Sequence, residues 1–302
     1  MFVPTEKRVI TTASRWELTP QDDTYPETLQ DFDTPPKRLY GIGSPEVLSS
    51  RCLAVIGARR ATPYGLTVAE MAGRIAAECG ITVVSGGAMG CDAAALRAAQ
   101  LAGGTTIVIP GTGADYVYPA TSRDVFDHAP NNGCILSLED WGTPPRPYNF
   151  PKRNHIIAAL SEVLLVAEAG ERSGTSSTAT CAAELGRTIY AVPGSIFSPE
   201  SMGANRLIVE GALPIVSEED LEMRISMDYG VIRLMSGGVR KDMGRIMSAL
   251  VAMPMRPDDL ANRLGETPLN MLMALSDLEA NGSVDRLPDG RYAASRDFYV
   301  TG

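Results

Sequence analysis

The stretch TVVSGGAMGCDAAA, residues 82–95, decides how this chain folds. Its opening residues are β-branched and suit a buried strand; a Ser and two glycines follow, and then an alanine-rich run of helical character. Strand, glycine elbow and helix in that order form the repeating unit of a parallel sheet. The free amides of such an elbow, backed by the positive end of the helix, can hold a phosphate without any catalytic group. The elbow thus poses a functional question, because that phosphate could belong to a dinucleotide cofactor, to a small nucleotide about to be cleaved, or to the backbone of a nucleic acid.

Outward from this unit the same alternation repeats. Short apolar runs at 52–57 (CLAVIG), 81–85 (ITVVS), 105–109 (TTIVI), 134–137 (CILS), 163–168 (VLLVAE), 188–192 (TIYAV) and 213–216 (LPIV) read as strands. Helical patterns lie between them at about 63–79, 90–102, 121–129, 153–161, 174–186 and 204–211. The expected fold is therefore α/β, a doubly wound and mostly parallel Rossmann-like sheet, whose ligands bind beyond the carboxyl ends of the strands. Residues 1–50 read as an irregular lead-in, 51–225 as the α/β domain, and 226–242, with Ser236, Gly237 and Gly238, as a linker. From 243 to 302 three amphipathic segments precede two short strands around a PDG turn, the outline of a small winged helix.

Composition narrows the function. Hydrophobic residues at 44% and charged residues at 21% are those of an ordinary globular protein, and the net charge of -9 requires any nucleic-acid contact to come from a local basic patch. The five cysteines are widely spaced with no C-x-x-C pair, so neither a disulfide framework nor a zinc knuckle is expected. Only two histidines occur, and no catalytic metal is expected. There is no signal-peptide pattern and no run of 18 apolar residues, which predicts a cytoplasmic protein without a membrane partner.

The loops weigh against a cofactor. A dinucleotide site needs G-x-G-x-x-G and an acidic residue at the end of the next strand, but here the glycines are Gly86, Gly87 and Gly90, and the next strand ends in Pro110 and Gly111. No G-x-x-x-x-G-K-[ST] is present either, and no cofactor is predicted. A second anion-binding device is ERSGTSST, in which Arg172, Ser173, Gly174 and Thr175 precede a helix. The alternative is that the glycines serve close packing and the Ser and Thr residues are N-caps.

Seven of the 12 Lys and Arg of residues 51–222 lie in or beside these loops: Arg59, Arg60, Arg146, Lys152, Arg153, Arg172 and Arg206. Residues 142–154 carry three positive charges and no negative one, interleaved with Tyr148 and Phe150. Charges that track phosphates beside rings that stack on bases suit an unstacked strand. The competing view is a rigid proline-rich loop whose aromatics fill a packing gap.

In order and spacing, GARRATPYG, VVSGGAMGCDAAA, PGTGADYVYP, FPKRNHIIAALS, EAGERSGTSSTA, AVPGS and SMGANRLIVEGA resemble the core of the DNA-processing protein A (DprA/Smf) family across residues 33–222. The resemblance implies a protein that binds single-stranded DNA, dimerises through this core and loads the RecA recombinase during natural transformation, without turnover chemistry. Carried over by position, it implies DNA-contacting or pocket-forming roles for Arg59, Ser85, Gly86, Lys152, Arg153, Asn154, Ser173, Gly174 and Thr175. Arg59, Lys152, Arg153 and Arg172 are assigned to phosphates, and Tyr148 or Phe150 to a base. The family pattern S-G-L-A-x-G-I-D-x-x-A-H is broken at Gly87, Cys91 and Leu96, and His155 replaces the usual Arg after Asn154. The helical N-terminal domain of many members is expected to be missing or reduced.

Two further readings stay open. The Lonely Guy phosphoribohydrolases share this superfold and use P-G-G-x-G-T-x-x-E, where this chain has Thr178 in place of the glutamate, with Glu168, Glu171 and Glu184 nearby. A duplex-binding regulator would act through the winged helix. Residues 241–302, however, hold seven basic and nine acidic residues, and the candidate recognition helix has no Lys or Arg, which favours a protein-interaction or auto-regulatory role.

Overall fold

Each apolar run expected as a strand becomes one. The computed structural model describes residues 7–30, 32, 34–171, 173–231 and 245–300. In chain order the core comprises β1 (Arg15–Leu18), α1 (Glu27–Gln30), β2 (Leu39–Gly43), β3 (Cys52–Ile56), α2 (Pro63–Glu78), β4 (Thr82–Ser85), α3 (Cys91–Leu101), β5 (Thr106–Val108) and α4 (Arg123–His128). It continues with β6 (Gly133–Ser137), α5 (Asn149–Leu160), β7 (Val163–Val166), α6 (Gly174–Glu184), β8 (Thr188–Ala191), α7 (Met202–Val209), β9 (Leu213–Pro214) and α8 (Glu218–Tyr229). Among the described residues no helix is long and apolar enough to cross a membrane.

The nine strands form one sheet in the order β1-β2-β6-β5-β4-β3-β7-β8-β9. Pairing is parallel from β6 to β9 and antiparallel where β2 meets β6 and β1 meets β2. Every residue of β3, β4 and β7 is buried, because both faces of the sheet are covered and uninterrupted apolar runs are what such strands need. The chain lays β4, β5 and β6 outward from β3, then returns to set β7 against its other side. That reversal opens a crevice beyond the carboxyl ends of β3 and β7.

The alanine-rich run after the glycine elbow has a packing reason. A Cβ on Gly73 of α2 would lie 2.1 Å from the carbonyl oxygen of Ala95 in α3, so the two helices approach at backbone contact. Ala69, Ala72, Ala76, Ala94, Ala95 and Ala99 line that interface in the apolar layer on one face of the sheet. A second layer, built from α5, α6 and α7 with Leu29 of α1, covers the other.

Residues 1–50 are not simply irregular. β1 and β2 extend the sheet by two antiparallel strands, and Trp16 packs so closely on Gly41 that a Cβ there would sit 2.1 Å from its ring. Strands of four and five residues, the second with two glycines, carry too little alternation to be read from pattern. At the other end α8 runs through Tyr229 and stops at the left-handed Gly230, so 226–229 are helical rather than linker. Buried Tyr229 donates to the Cys52 carbonyl at 2.9 Å. From 232 onward the expected linker lies outside the described residues.

Beyond it, α9 (Arg245–Ala252), α10 (Pro257–Leu264) and α11 (Pro268–Ala280) precede the hairpin β10 (Val284–Arg286) and β11 (Tyr292–Ala294), and α12 (Arg296–Val300) follows. Leu250, Leu260, Met271, Leu275 and Val284 form a separate small core, as a winged helix requires.

Candidate nucleic-acid interface

A cavity of about 660 Å³ lies where the strand order reverses. Arg59 and Arg60, both exposed, reach it from the loop after β3. Arg153 and Asn154 come from α5, Ser173, Gly174 and Thr175 from the start of α6, and Pro199 and Glu200 from the loop after β8. Ser173 is the N-cap of α6; its hydroxyl accepts from the Thr175 amide at 3.1 Å, and the first turn contains no acidic residue. The positive end of an 11-residue helix thus opens beside two exposed guanidinium groups, an arrangement that selects for an anion.

The glycine elbow has a different role from the one its sequence suggests. Its amides at Gly86 and Ala88 turn on the chain's own Asp92 carboxylate, which accepts from Ala88 at 3.4 Å. Burial pushes the Asp92 carboxyl up, against the opposing pull of Arg153, the Ala88 amide and Arg59. Ser85 is wholly buried and donates to the Val55 carbonyl at 2.7 Å, and Gly86 is buried behind Arg153. Neither lines the cavity, so the direct contacts expected of Ser85 and Gly86 are corrected to a supporting role. Gly86 matters for space, since a Cβ there would fall 1.8 Å from Nη1 of Arg153.

Arg153 is only 4% exposed and donates to the Ile109 carbonyl. Burial pushes its guanidinium down to about 10, Asp92 pulls the other way, and Arg59 adds to the lowering. It therefore remains a cation at neutral pH and sets the positive floor of the cavity, instead of reaching out to a phosphate. Phe150 lies between Arg59 and Arg153, with guanidinium carbons 5.2 and 5.9 Å from its ring centre, and Tyr118 stands 6.1 Å away. It is half-buried and holds the two arginines in place.

Tyr148 and Lys152 belong to an outer surface. Tyr148 is 54% exposed, accepts from Arg146 at 2.8 Å, and has the Lys152 ammonium 5.4 Å over its ring. Lys152 lines a neighbouring groove with Arg38, Tyr40, Pro151 and His155. Asn154 bridges toward α6 by donating to Ser177 at 3.0 Å. Arg172 lies outside the described residues. Sequence reasoning missed Asp92 and Glu200 as cavity residues; Asp92 stood inside the quoted stretch, seven residues past its strand, whereas nothing local marked Glu200.

Residues 16–226 match the family model described as DNA recombination-mediator protein A, and residues 239–290 match the DprA winged helix domain. The chain belongs to the DNA recombination-mediator protein A family. It is 38% identical over 200 residues to the DNA processing protein DprA of Streptococcus pneumoniae, covering 66% of this chain and 71% of that one. With Protein Smf of Synechocystis it shares 37% over 208 residues, 68% of this chain but about half, 52%, of that relative's length. The X-ray structure of Streptococcus pneumoniae DprA superposes with a TM-score of 0.64 at 37% identity, covering 68% of this chain and 72% of that one. DprA from Helicobacter pylori, described for its unique single-stranded DNA binding mode, superposes at 0.65 with 29% identity over 72% and 98%. Gly87, where this chain departs from the family pattern, has a φ of 65° that glycine adopts without strain.

Proposed function

We propose that this chain binds single-stranded DNA, protects incoming strands and loads RecA onto them in natural transformation, acting as a homodimer and without turnover chemistry. The observation that carries the reading is the grouping of cations and rings on and around α5. Arg59, Arg60 and the α6 start surround the anion cavity with Arg153 and Asn154 of α5, and the same helix carries the exposed Lys152, with Tyr148 and Arg146 just before it. One phosphate sits at the mouth of the cavity, the next ones pass Lys152, and a base stacks on Tyr148. The single-stranded DNA binding mode described for the Helicobacter pylori relative supports this reading.

The cleavage alternative loses support at the same place. Thr178 lines the cavity where a catalytic glutamate would be needed, and Glu168 is turned away, accepting from the Thr62 amide and hydroxyl at 2.8 and 2.6 Å. The duplex alternative fares no better, because α11 presents exposed Leu269, Leu272 and Met273 to solvent where a groove reader needs cations. For the dimer, the β9 edge of the sheet is two residues long and surrounded by exposed Val209, Leu213 and Val216.

Photocrosslinking of a strand carrying 5-iodouracil, followed by peptide mapping, tests the path. The expected adduct is on Tyr148 or Tyr118. Crosslinks confined to α11 would reject it.

A further inference from the structure

The winged helix touches the core at the rim of the cavity. Tyr299 of α12 stands 5.7 Å from Tyr64 of α2, and Arg296 pairs with Glu70 of α2. Arg263 of α10 lies 5.8 Å over the ring of Phe197. From the hairpin, Arg291 reaches Glu200 at 2.7 Å while also holding Asp289 of its own turn at 2.8 Å. Phe197 and Glu200 share one loop, and that loop faces the winged helix on one side and lines the cavity on the other.

The charges of the cavity give this contact a sign. Its described lining holds three arginines and two carboxylates, Asp92 and Glu200. Asp92 is buried against Arg153 and the elbow amides and is compensated inside the protein. Among the described residues of the core Glu200 has no such cation, and besides Arg291 it is held by the Ser198 hydroxyl and its own amide. Despite burial pushing its carboxyl up, the hydrogen bond from Arg291 leads the interactions that hold it below the ordinary value, so it is ionised at neutral pH. An ionised, uncompensated carboxylate at the mouth of an anion site repels a phosphate.

Building on the strand-binding reading above, we propose that Arg291 of the winged helix neutralises Glu200, so that docking of the C-terminal domain switches the core into its strand-binding state. The winged helix then acts on DNA without touching it, as a removable counter-charge. Any partner that drew the domain away through α11 would expose Glu200 and loosen the strand. Arg291 is accordingly a positioning residue that acts through Glu200.

The test is a charge-rescue cycle on the full chain, read by fluorescence anisotropy of an oligo-dT strand at low and high salt. Arg291→Ala is expected to weaken binding roughly threefold to tenfold at low salt, with the difference shrinking at high salt. Glu200→Gln alone should bind at least as tightly as the parent, and the double variant should return to within about twofold of it. A merely structural role for Arg291 would not be rescued by Glu200→Gln, so an unrescued double variant overturns the proposal, as does an unchanged Arg291→Ala. Failure of the parent protein to bind the strand would instead remove the function proposed above.

Discussion

On the proposed strand path Arg59 and Lys152 make separable contributions, one at the mouth of the cavity and one on the outer surface. Each is an exposed cation, so its removal is expected to leave the fold intact. Replacing either by Ala should weaken strand affinity about threefold to tenfold at low salt and lower the salt slope by about 0.7 per lost phosphate contact. Unchanged affinity in a titration of either variant would remove that residue from the path. Gly86 behaves differently. Gly86→Ala drives a methyl into the Arg153 guanidinium, and the arginine can make room only by giving up its bond to the Ile109 carbonyl and shifting into the cavity it lines. A loss of about 1–3 kcal/mol in denaturant-measured stability is expected, the range for overpacking a core; a neutral result would show that Arg153 relaxes freely.

At the scale of elements, α6 carries the anion site and its start depends on one hydroxyl. Ser173→Ala removes the cap on Thr175 and should cost about 1 kcal/mol, seen as a lower melting temperature, with strand affinity falling as the first turn frays. A variant that melts and binds like the parent would show the cap to be dispensable. The start of α6 was legible in the sequence because Ser-Gly-Thr before a helical run is a capping pattern. The role of the β4 elbow was not, since the same glycine signature serves an external phosphate or an internal carboxylate equally well. Only the fold brings Asp92 back onto the amides of its own turn. The seven strands β3 to β9 were legible because doubly covered strands must be continuously apolar, and β1 and β2 were hidden because strands this short at the antiparallel end of the sheet owe their pairing to tertiary partners such as Trp16 on Gly41.

The whole molecule is a mostly parallel sheet whose reversal point faces a basic, aromatic surface, with a small C-terminal domain leaning on the rim. Nothing in the local sequence around Glu200 or Arg291 indicated that they meet, because that pair depends on how two separately cored domains dock. The β9 edge leads to a prediction at this scale. The proposed dimer predicts a dimeric parent in light-scattering chromatography and a monomeric Val209→Asp, Leu213→Asp protein; a parent that is already monomeric would set the dimer aside.

The central claim, that this surface holds an unstacked strand, is tested most directly by anisotropy of a labelled oligo-dT and of a matching duplex at two salt concentrations. The account predicts tighter binding of the single strand and a clear weakening with salt. Preference for the duplex, or no binding of either, would contradict it.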